Sequence, residues 1–233
     1  MKYSSQTREK ILITAGEGGH TARAIAIAER HPKADLSFIT TREDPYIDTL
    51  KELGRIHHMI KPAPLHTPSY QPRRWITAMT QAAKIIAKER PDKLFGSGSN
   101  YMIPPILAAH LLRPSTTIIA TESFVEIGKP SKALKKIARI ADEIWVQWEE
   151  QLLYFPKTKY CGLLIPVHGT SGLKNGDKTY PSTKLMKAIQ EGKRVKVKIR
   201  RDLDHGKQKR FIEFLKKKRI LDKEGWTTKC HST

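Results

Sequence analysis

Short β-branched runs alternate with longer helical patterns from residue 10 to about residue 165, and this rhythm restricts the fold more than any other feature of the 233-residue chain. A strand that feeds a helix and then another strand of the same sheet needs a crossover, so neighbouring strands run parallel. The pattern predicts strands over Lys10–Ala15, Leu36–Thr40, Arg55–Ile60, Lys93–Gly96, Thr116–Thr121 and Glu143–Gln147, with a weaker one near Tyr160. It predicts helices over Thr21–Arg30, Pro45–Leu53, Arg74–Glu89, Tyr101–Leu112 and Pro130–Ala141, and Pro91 and Pro114 follow helical stretches as stop signals do. The implied class is α/β, a single doubly wound parallel sheet over residues 1–167.

Two segments break the rhythm. Lys61–Arg73 holds Pro62, Pro64, Pro68 and Pro72 and reads as a loop, either functional or a plain insertion. After Pro166, residues 168–181 are rich in Gly, Ser, Thr, Lys and Asn and read as a linker. The remainder, 182–233, is a lysine-rich extension whose fold the sequence leaves open. Within it the pattern suggests a helix over Ser182–Gln190, a strand over Arg194–Ile199 and an amphipathic helix over Lys207–Leu221 with Phe211, Phe214 and Leu215 on one side.

Charge follows the same division. The chain carries 43 Lys+Arg against 23 Asp+Glu, a net +20 that calls for anionic partners such as nucleic acid, an acidic membrane surface or phosphorylated substrates. Residues 1–167 hold 24 basic and 16 acidic residues, net +8, and residues 168–233 hold 19 and 7, net +12. Cys161 and Cys230 stand far apart with no Cys-x-x-Cys or His/Cys cluster, so neither a disulfide framework nor a metal site is expected. The most apolar window, Tyr101–Leu112, is interrupted by Pro104, Pro105 and His110, so no transmembrane segment or signal peptide is expected.

The residues that could carry chemistry lie in the turns. The first strand-to-helix turn reads Ala15-Gly16-Glu17-Gly18-Gly19-His20-Thr21. Its glycines let the backbone approach a ligand, and the helix N-terminus beyond favours a phosphate. The alternative is a tight structural turn. The spacing fails the GxGxxG dinucleotide fingerprint, because Thr21 stands where the third glycine belongs. A second turn, Phe95-Gly96-Ser97-Gly98-Ser99-Asn100, follows the fourth strand, and in open parallel sheets the first and fourth strands commonly flank the ligand crevice. The fifth strand ends in Thr121-Glu122-Ser123-Phe124, which would set a carboxylate opposite the His20 imidazole, a possible base, unless Glu122 is only a capping or surface group. In the helix that follows, Lys132, Lys135, Lys136 and Arg139 share one face and Ala133, Leu134, Ile137, Ala138 and Ala141 the other. That basic face is either plain solvated surface or a contact for anions.

These motifs, with Ile103-Pro104, Leu107-Ala108-Ala109, Ala141-Asp142, Val146-Gln147-Trp148 and Tyr160-Cys161-Gly162, resemble the acceptor-side subunit of the two-component N-acetylglucosaminyl transferase of asparagine-linked glycosylation, and related bacterial exopolysaccharide glycosyltransferase subunits. The likeness covers about residues 10–165. It implies a Rossmann-like sheet that forms the N-terminal half of a GT-B glycosyltransferase. It further implies transfer from a UDP-sugar, UDP-N-acetylglucosamine above all, to a polyprenyl- or dolichyl-diphosphate-linked sugar. The chain would bind the acceptor, recruit a separate catalytic subunit that holds the donor, and sit peripherally on the cytoplasmic membrane face, with no cofactor.

On that resemblance, Gly16, Gly18, Gly19 and Thr21 would hold the acceptor diphosphate, His20 would act as base with Glu122 supporting it, and Gly96, Gly98 and Ser99 would shape the crevice towards the donor. Tyr70, Arg73, Arg74 and Trp75, with Lys132, Lys135, Lys136 and Arg139, would touch an anionic membrane. The chain departs from the family at Arg23, where an acidic residue is usual, at Glu126, where a basic one is common, and at Ser97, which replaces a proline; the opposite charges of Arg23 and Glu126 suggest compensation. Two other functions compete. The +12 extension could bind nucleic acid, but it carries no zinc-finger or RNA-recognition motif, so nucleic acid is an unlikely partner. A nucleotide-dependent oxidoreductase is disfavoured by the failed fingerprint and by Asp35 coming only ~15 residues after the turn.

Overall fold

The computed structural model describes residues 8–63, 71–166, 191 and 205–218. Seven strands form one parallel sheet: β1 (Lys10–Thr14), β2 (Asp35–Thr40), β3 (Arg55–His58), β4 (Lys93–Gly96), β5 (Thr117–Thr121), β6 (Glu143–Val146) and β7 (Thr158–Tyr160). Their order is β3-β2-β1-β4-β5-β6-β7, so the direction of winding reverses between β1 and β4. In register, Ile11, Leu12 and Ile13 of β1 stand beside Leu36, Ser37 and Phe38 of β2 and beside Lys93, Leu94 and Phe95 of β4. The central strands are buried on both faces, which is why they read as continuous apolar runs.

Helices cover both faces. Ile11, Ile13, Phe38 and Phe95 point to the side of α1 (Gly19–Glu29) and α2 (Ile47–Leu53). Leu12, Ile39, Leu94 and Ile118 point to the side of α3 (Pro72–Glu89), α4 (Ile103–Leu112) and α5 (Lys132–Ile137). The alternation within β1 is the two-residue period of a strand, here serving two separate cores. Burying a Leu or Ile side chain contributes roughly 1.5–3 kcal/mol, and both cores are built almost wholly from such residues.

Several boundaries differ from those the sequence suggests. Helix α3 begins at Pro72, because proline is well suited to a first turn where its missing N–H has no partner to lose. Arg73, Arg74 and Trp75 therefore ride on the first turn of α3 and not on the proline-rich loop; residues 64–70 of that loop, Tyr70 included, lie outside the described residues. The window expected to be one helix from Tyr101 splits into a short 3-10 turn (Asn100–Met102) and α4, with Pro104 and Pro105 in the first turn of α4. Helix α5 is shorter than expected and is capped by Ser131, whose hydroxyl accepts the Leu134 N–H at 3.2 Å. The linker 168–181, the helix over 182–190 and the strand over 194–199 lie outside the described residues.

The amphipathic helix of the extension is present as α6 (His205–Lys217). Its Phe211, Phe214 and Leu215 pack with Phe124, forming a small third core that Val125, Ile127, Trp148, Leu163 and Ile165 flank. Lys218 adds an ion pair to Glu150 at 2.6 Å. Among the described residues no helix is long and apolar enough to cross a membrane.

Candidate functional site

Both glycine turns leave the carboxyl ends of β1 and β4, the two strands at the winding reversal, where open parallel sheets place their ligand sites. The first turn has an unusual backbone: Gly16, Glu17 and Gly18 all take positive φ, at 73°, 73° and 64°. For Glu17 this is a strained conformation, and its carboxylate is braced on both sides, by the Thr41 hydroxyl at 2.7 Å and the Lys61 ammonium at 2.5 Å. A side chain at Gly16 would also meet the Tyr101 ring, with Cβ 2.9 Å from Cδ1. Helix α1 then starts at Gly19 with no side-chain cap, so the anion-attracting end of the helix opens on the glycine backbone.

Thr21 is used otherwise than expected. It is fully buried, and its hydroxyl donates to Asp44 Oδ2 at 2.6 Å, tying α1 to the loop after β2. Its side chain serves the fold.

The second turn is buried from Phe95 to Gly98, and Ser97 makes most of its contacts. The Ser97 N–H donates to Thr14 Oγ1 at 2.9 Å and its hydroxyl to the Ala15 carbonyl at 3.1 Å, which fastens the two turns together. Its carbonyl receives two donors at 2.6 Å each, His20 Nδ1 and Arg23 Nη1. A carbonyl oxygen only accepts, so Nδ1 of His20 carries the proton and, in the neutral ring, Nε2 holds the lone pair. Gly98 has φ of 82°, and a Cβ there would lie 2.5 Å from Arg23 Nη1 and 2.8 Å from the Thr121 carbonyl. Gly96 faces the core, against Met102 and Ile106, and so is a packing residue; Ser99 accepts the Tyr101 N–H at 3.2 Å and caps the 3-10 turn.

Arg23 was visible in the sequence only as a departure. In the fold it is 5% exposed, and burial pushes its guanidinium down to about 10, with the Glu122 charge working in the other direction. The signal that could have placed it is its spacing: His20 and Arg23 stand three apart on α1 and so share a face. The carboxylate that balances Arg23 is Glu122, and the compensation expected from Glu126 is not what the electrostatics show.

Glu122 does not present its carboxylate across an open crevice as expected. The residue is fully buried, its oxygens accept the N–H groups of Ser123 at 2.7 Å and Ser131 at 2.8 Å, and burial pushes its carboxyl above the usual range. It fixes both ends of the loop from 122 to 131. The same loop is held from its other side by residues to which the sequence assigned no role: Gln147 donates to the Glu122 carbonyl, Gln151 to the Ser123 and Glu126 carbonyls, Trp148 to the Phe124 carbonyl and Tyr154 to the Glu126 carbonyl.

The basic surface residues come together as a patch. Lys132, Lys135, Lys136 and Arg139 are all exposed, while Ala133, Leu134, Ile137, Ala138 and Ala141 are buried. Lys136 Nζ lies 5.8 Å from the Trp75 ring centroid, which joins the α5 face to the start of α3. Ile76, next to Trp75 in sequence, is 66% exposed.

This seven-stranded parallel sheet, with helices on both faces, resembles the Rossmann-like N-terminal domain of the GT-B architecture. The crystal structure of MurG from Acinetobacter baumannii is similar in fold, with a TM-score of 0.52 at 18% identity over 66% of this chain and 45% of that one. In sequence, the chain is 33% identical over 164 residues to the UDP-N-acetylglucosamine--N-acetylmuramyl-(pentapeptide) pyrophosphoryl-undecaprenol N-acetylglucosamine transferase of Lawsonia intracellularis, covering 65% of this chain and 42% of the relative. It is 26% identical over 207 residues to the protein of the same description from Thermodesulfovibrio yellowstonii, covering 84% and 50%. These relatives are UDP-N-acetylglucosamine transferases acting on a lipid-linked acceptor, and the chain spans about half their length. No family model matches the chain.

Proposed function

We propose that this chain is the acceptor-side half of a GT-B glycosyltransferase, which moves N-acetylglucosamine from a UDP donor to a polyprenyl- or dolichyl-diphosphate-linked sugar. The observation that carries the reading is the meeting of the two glycine turns at the winding reversal, where the Ser97 carbonyl holds His20 Nδ1 at 2.6 Å beside an uncapped helix start. The glycine backbone of the first turn and the N-terminus of α1 would take the acceptor diphosphate. His20 Nε2 would receive the proton of the acceptor hydroxyl as that oxygen bonds to the anomeric carbon and the bond to UDP breaks, its electron pair leaving on the nucleotide. Glu122 holds the neighbouring loop and does not touch the acceptor in this scheme, while Gly98 and Ser99 line the side towards the donor.

The donor site would come from a partner subunit. The resemblance to two-component transferases supports this, and the described residues hold one such sheet. The patch of Lys132, Lys135, Lys136, Arg139, Arg73, Arg74, Trp75 and Ile76 combines cations with exposed apolar surface, as peripheral binding to an anionic cytoplasmic leaflet requires.

Transfer from radiolabelled UDP-N-acetylglucosamine to a polyprenyl-diphosphate-linked sugar, with the cognate catalytic subunit present, tests the chemistry. His20→Ala is expected to lower kcat by ~100-fold or more, as loss of a general base does; a wild-type rate would overturn the assignment. For the membrane patch, Lys135→Glu with Lys136→Glu is expected to abolish sedimentation with anionic liposomes at low salt. Undiminished binding would move the contact elsewhere.

A further inference from the structure

We propose that Arg23 is a positioning residue for His20, holding the imidazole through the shared Ser97 carbonyl in the form that leaves Nε2 as the basic nitrogen. The inference rests on the reading of His20 as the base and adds the group that prepares it.

The geometry is specific. His20 Nδ1 and Arg23 Nη1 each lie 2.6 Å from the same oxygen, and the two residues are neighbours along one face of α1. A carbonyl has two lone pairs and accepts both donors. A second cation on that oxygen would repel the guanidinium, so the arrangement favours the uncharged ring with its proton on Nδ1. The Ser97 carbonyl is itself fixed, because the Ser97 N–H and hydroxyl are bound to Thr14 and Ala15. Arg23 Nη1 also reaches Thr121 Oγ1 at 3.5 Å, and that hydroxyl donates to the Gly96 carbonyl at 2.9 Å, so the guanidinium spans β4 and β5. Gly98 completes the arrangement, since any side chain there would occupy the place of Nη1. Among the described residues the groups that act electrostatically on Arg23 are Glu122 and, only when ionised, the Cys161 thiol, which burial pushes up to about 11. Burying a guanidinium to bind two uncharged oxygens is costly for a purely structural purpose, and a fixed imidazole is a function that the cost would serve.

Ring nitrogen chemical shifts of His20 in the full chain, labelled with ¹⁵N-histidine, test this without any assay of transfer. The wild type is expected to show a protonated Nδ1 and an unprotonated Nε2 at neutral pH, and a proton found on Nε2 would overturn the proposal. Arg23→Met is expected to move the ring towards the mixed tautomers of a solvent-exposed histidine, and Arg23→Lys to restore part of the Nδ1–H population. In the transfer assay with the partner subunit, Arg23→Met is expected to lower kcat by ~10- to 100-fold, part of a general base's contribution, with KM within ~3-fold. Should Arg23→Met not fold, the wild-type spectrum and Arg23→Lys decide the matter alone. A folded Arg23→Met with an unchanged ring spectrum, or with raised KM and wild-type kcat, would sink the proposal. If His20→Ala keeps full transfer while the spectra behave as expected, the base assignment fails and the positioning by Arg23 stands, so the two failures are distinguishable.

Discussion

At the amino edge of the sheet, Arg55 at the start of β3 reaches Asp35 at 2.5 Å and Glu89 at 2.8 Å, and His57 Nε2 donates to the other Glu89 oxygen at 2.9 Å. At the carboxyl edge, Arg23 and Glu122 feel each other's charge, yet both spend their hydrogen bonds on uncharged groups. The consequences run in opposite directions. Hydrogen bonding to Arg55 holds Asp35 below the usual carboxylate range, and although burial would raise Glu89, its bonds to Arg55 and the charge of His57 outweigh that and hold it low. Across the sheet, burial lowers Arg23 and raises Glu122, moving each towards its neutral form. Direct pairing stabilises one edge, whereas the other keeps desolvated charges beside a backbone it has strained, which is the pattern of a functional site.

The largest test of this contrast falls on the carboxyl edge. Gly98→Ala puts a Cβ at positive φ against Arg23 and the Thr121 carbonyl, and is expected to cost about 3 kcal/mol in urea denaturation, the sum of backbone strain and overpacking. In an assay of the proposed transfer the rate should fall with it. A loss below about 1 kcal/mol, the ordinary size of a surface change, would mean that the second turn is looser than its contacts indicate.

How much of this was legible in the sequence differs between the edges of each element. Strand positions could be read to within two residues because the β-branched runs are short and bounded by Gly, Pro or helical patterns, and Lys93–Gly96 agrees at both ends. That both glycine turns and Glu122 would come to the carboxyl edge followed from the parallel topology alone. Which way each side chain turns did not follow. Thr21 faces Asp44, Gly96 faces Met102, and Glu122 folds back on its own loop, because the packed fold and not the local sequence pattern decides which partner each group meets. Arg23 stood out in the sequence only as a departure from the family pattern, and its burial follows from contacts with the second turn that no local pattern shows.

A smaller effect is expected at the amino edge. Glu89→Gln removes the carboxylate shared by Arg55 and His57 and should cost about 2 kcal/mol at pH 7, less than for a fully buried pair because Arg55 is half exposed. The pH dependence has a definite sign. Folding lowers Asp35, Glu89 and, through burial, His57, so the unfolded chain takes up protons first as pH falls. Stability should therefore decline below about pH 6.5 through His57 and more steeply below about 4.5 through the carboxylates. In Glu89→Gln the steeper part of that loss should be reduced, and a profile parallel to the wild type would break the amino-edge half of the comparison.

The smallest change, and the one that separates the two edges most sharply, is expected of Glu122→Gln. The substitution replaces a buried carboxyl group with an amide whose N–H₂ is set against the N–H of Ser123 or Ser131, for a net cost of about 1 kcal/mol at pH 7. Folding raises the Glu122 carboxyl, so its neutral form stabilises the native state below the unfolded value and that contribution is lost as pH rises through the folded one. Acidification should consequently favour the wild type over Glu122→Gln, whereas it should favour Glu89→Gln over the wild type. Two isosteric substitutions thus give stability differences that diverge in sign between pH 7 and pH 4, measured by the same urea titrations. If both differences moved in the same direction, the two edges would be managing charge alike, and the carboxyl edge would lose its claim to be held away from its electrostatic optimum.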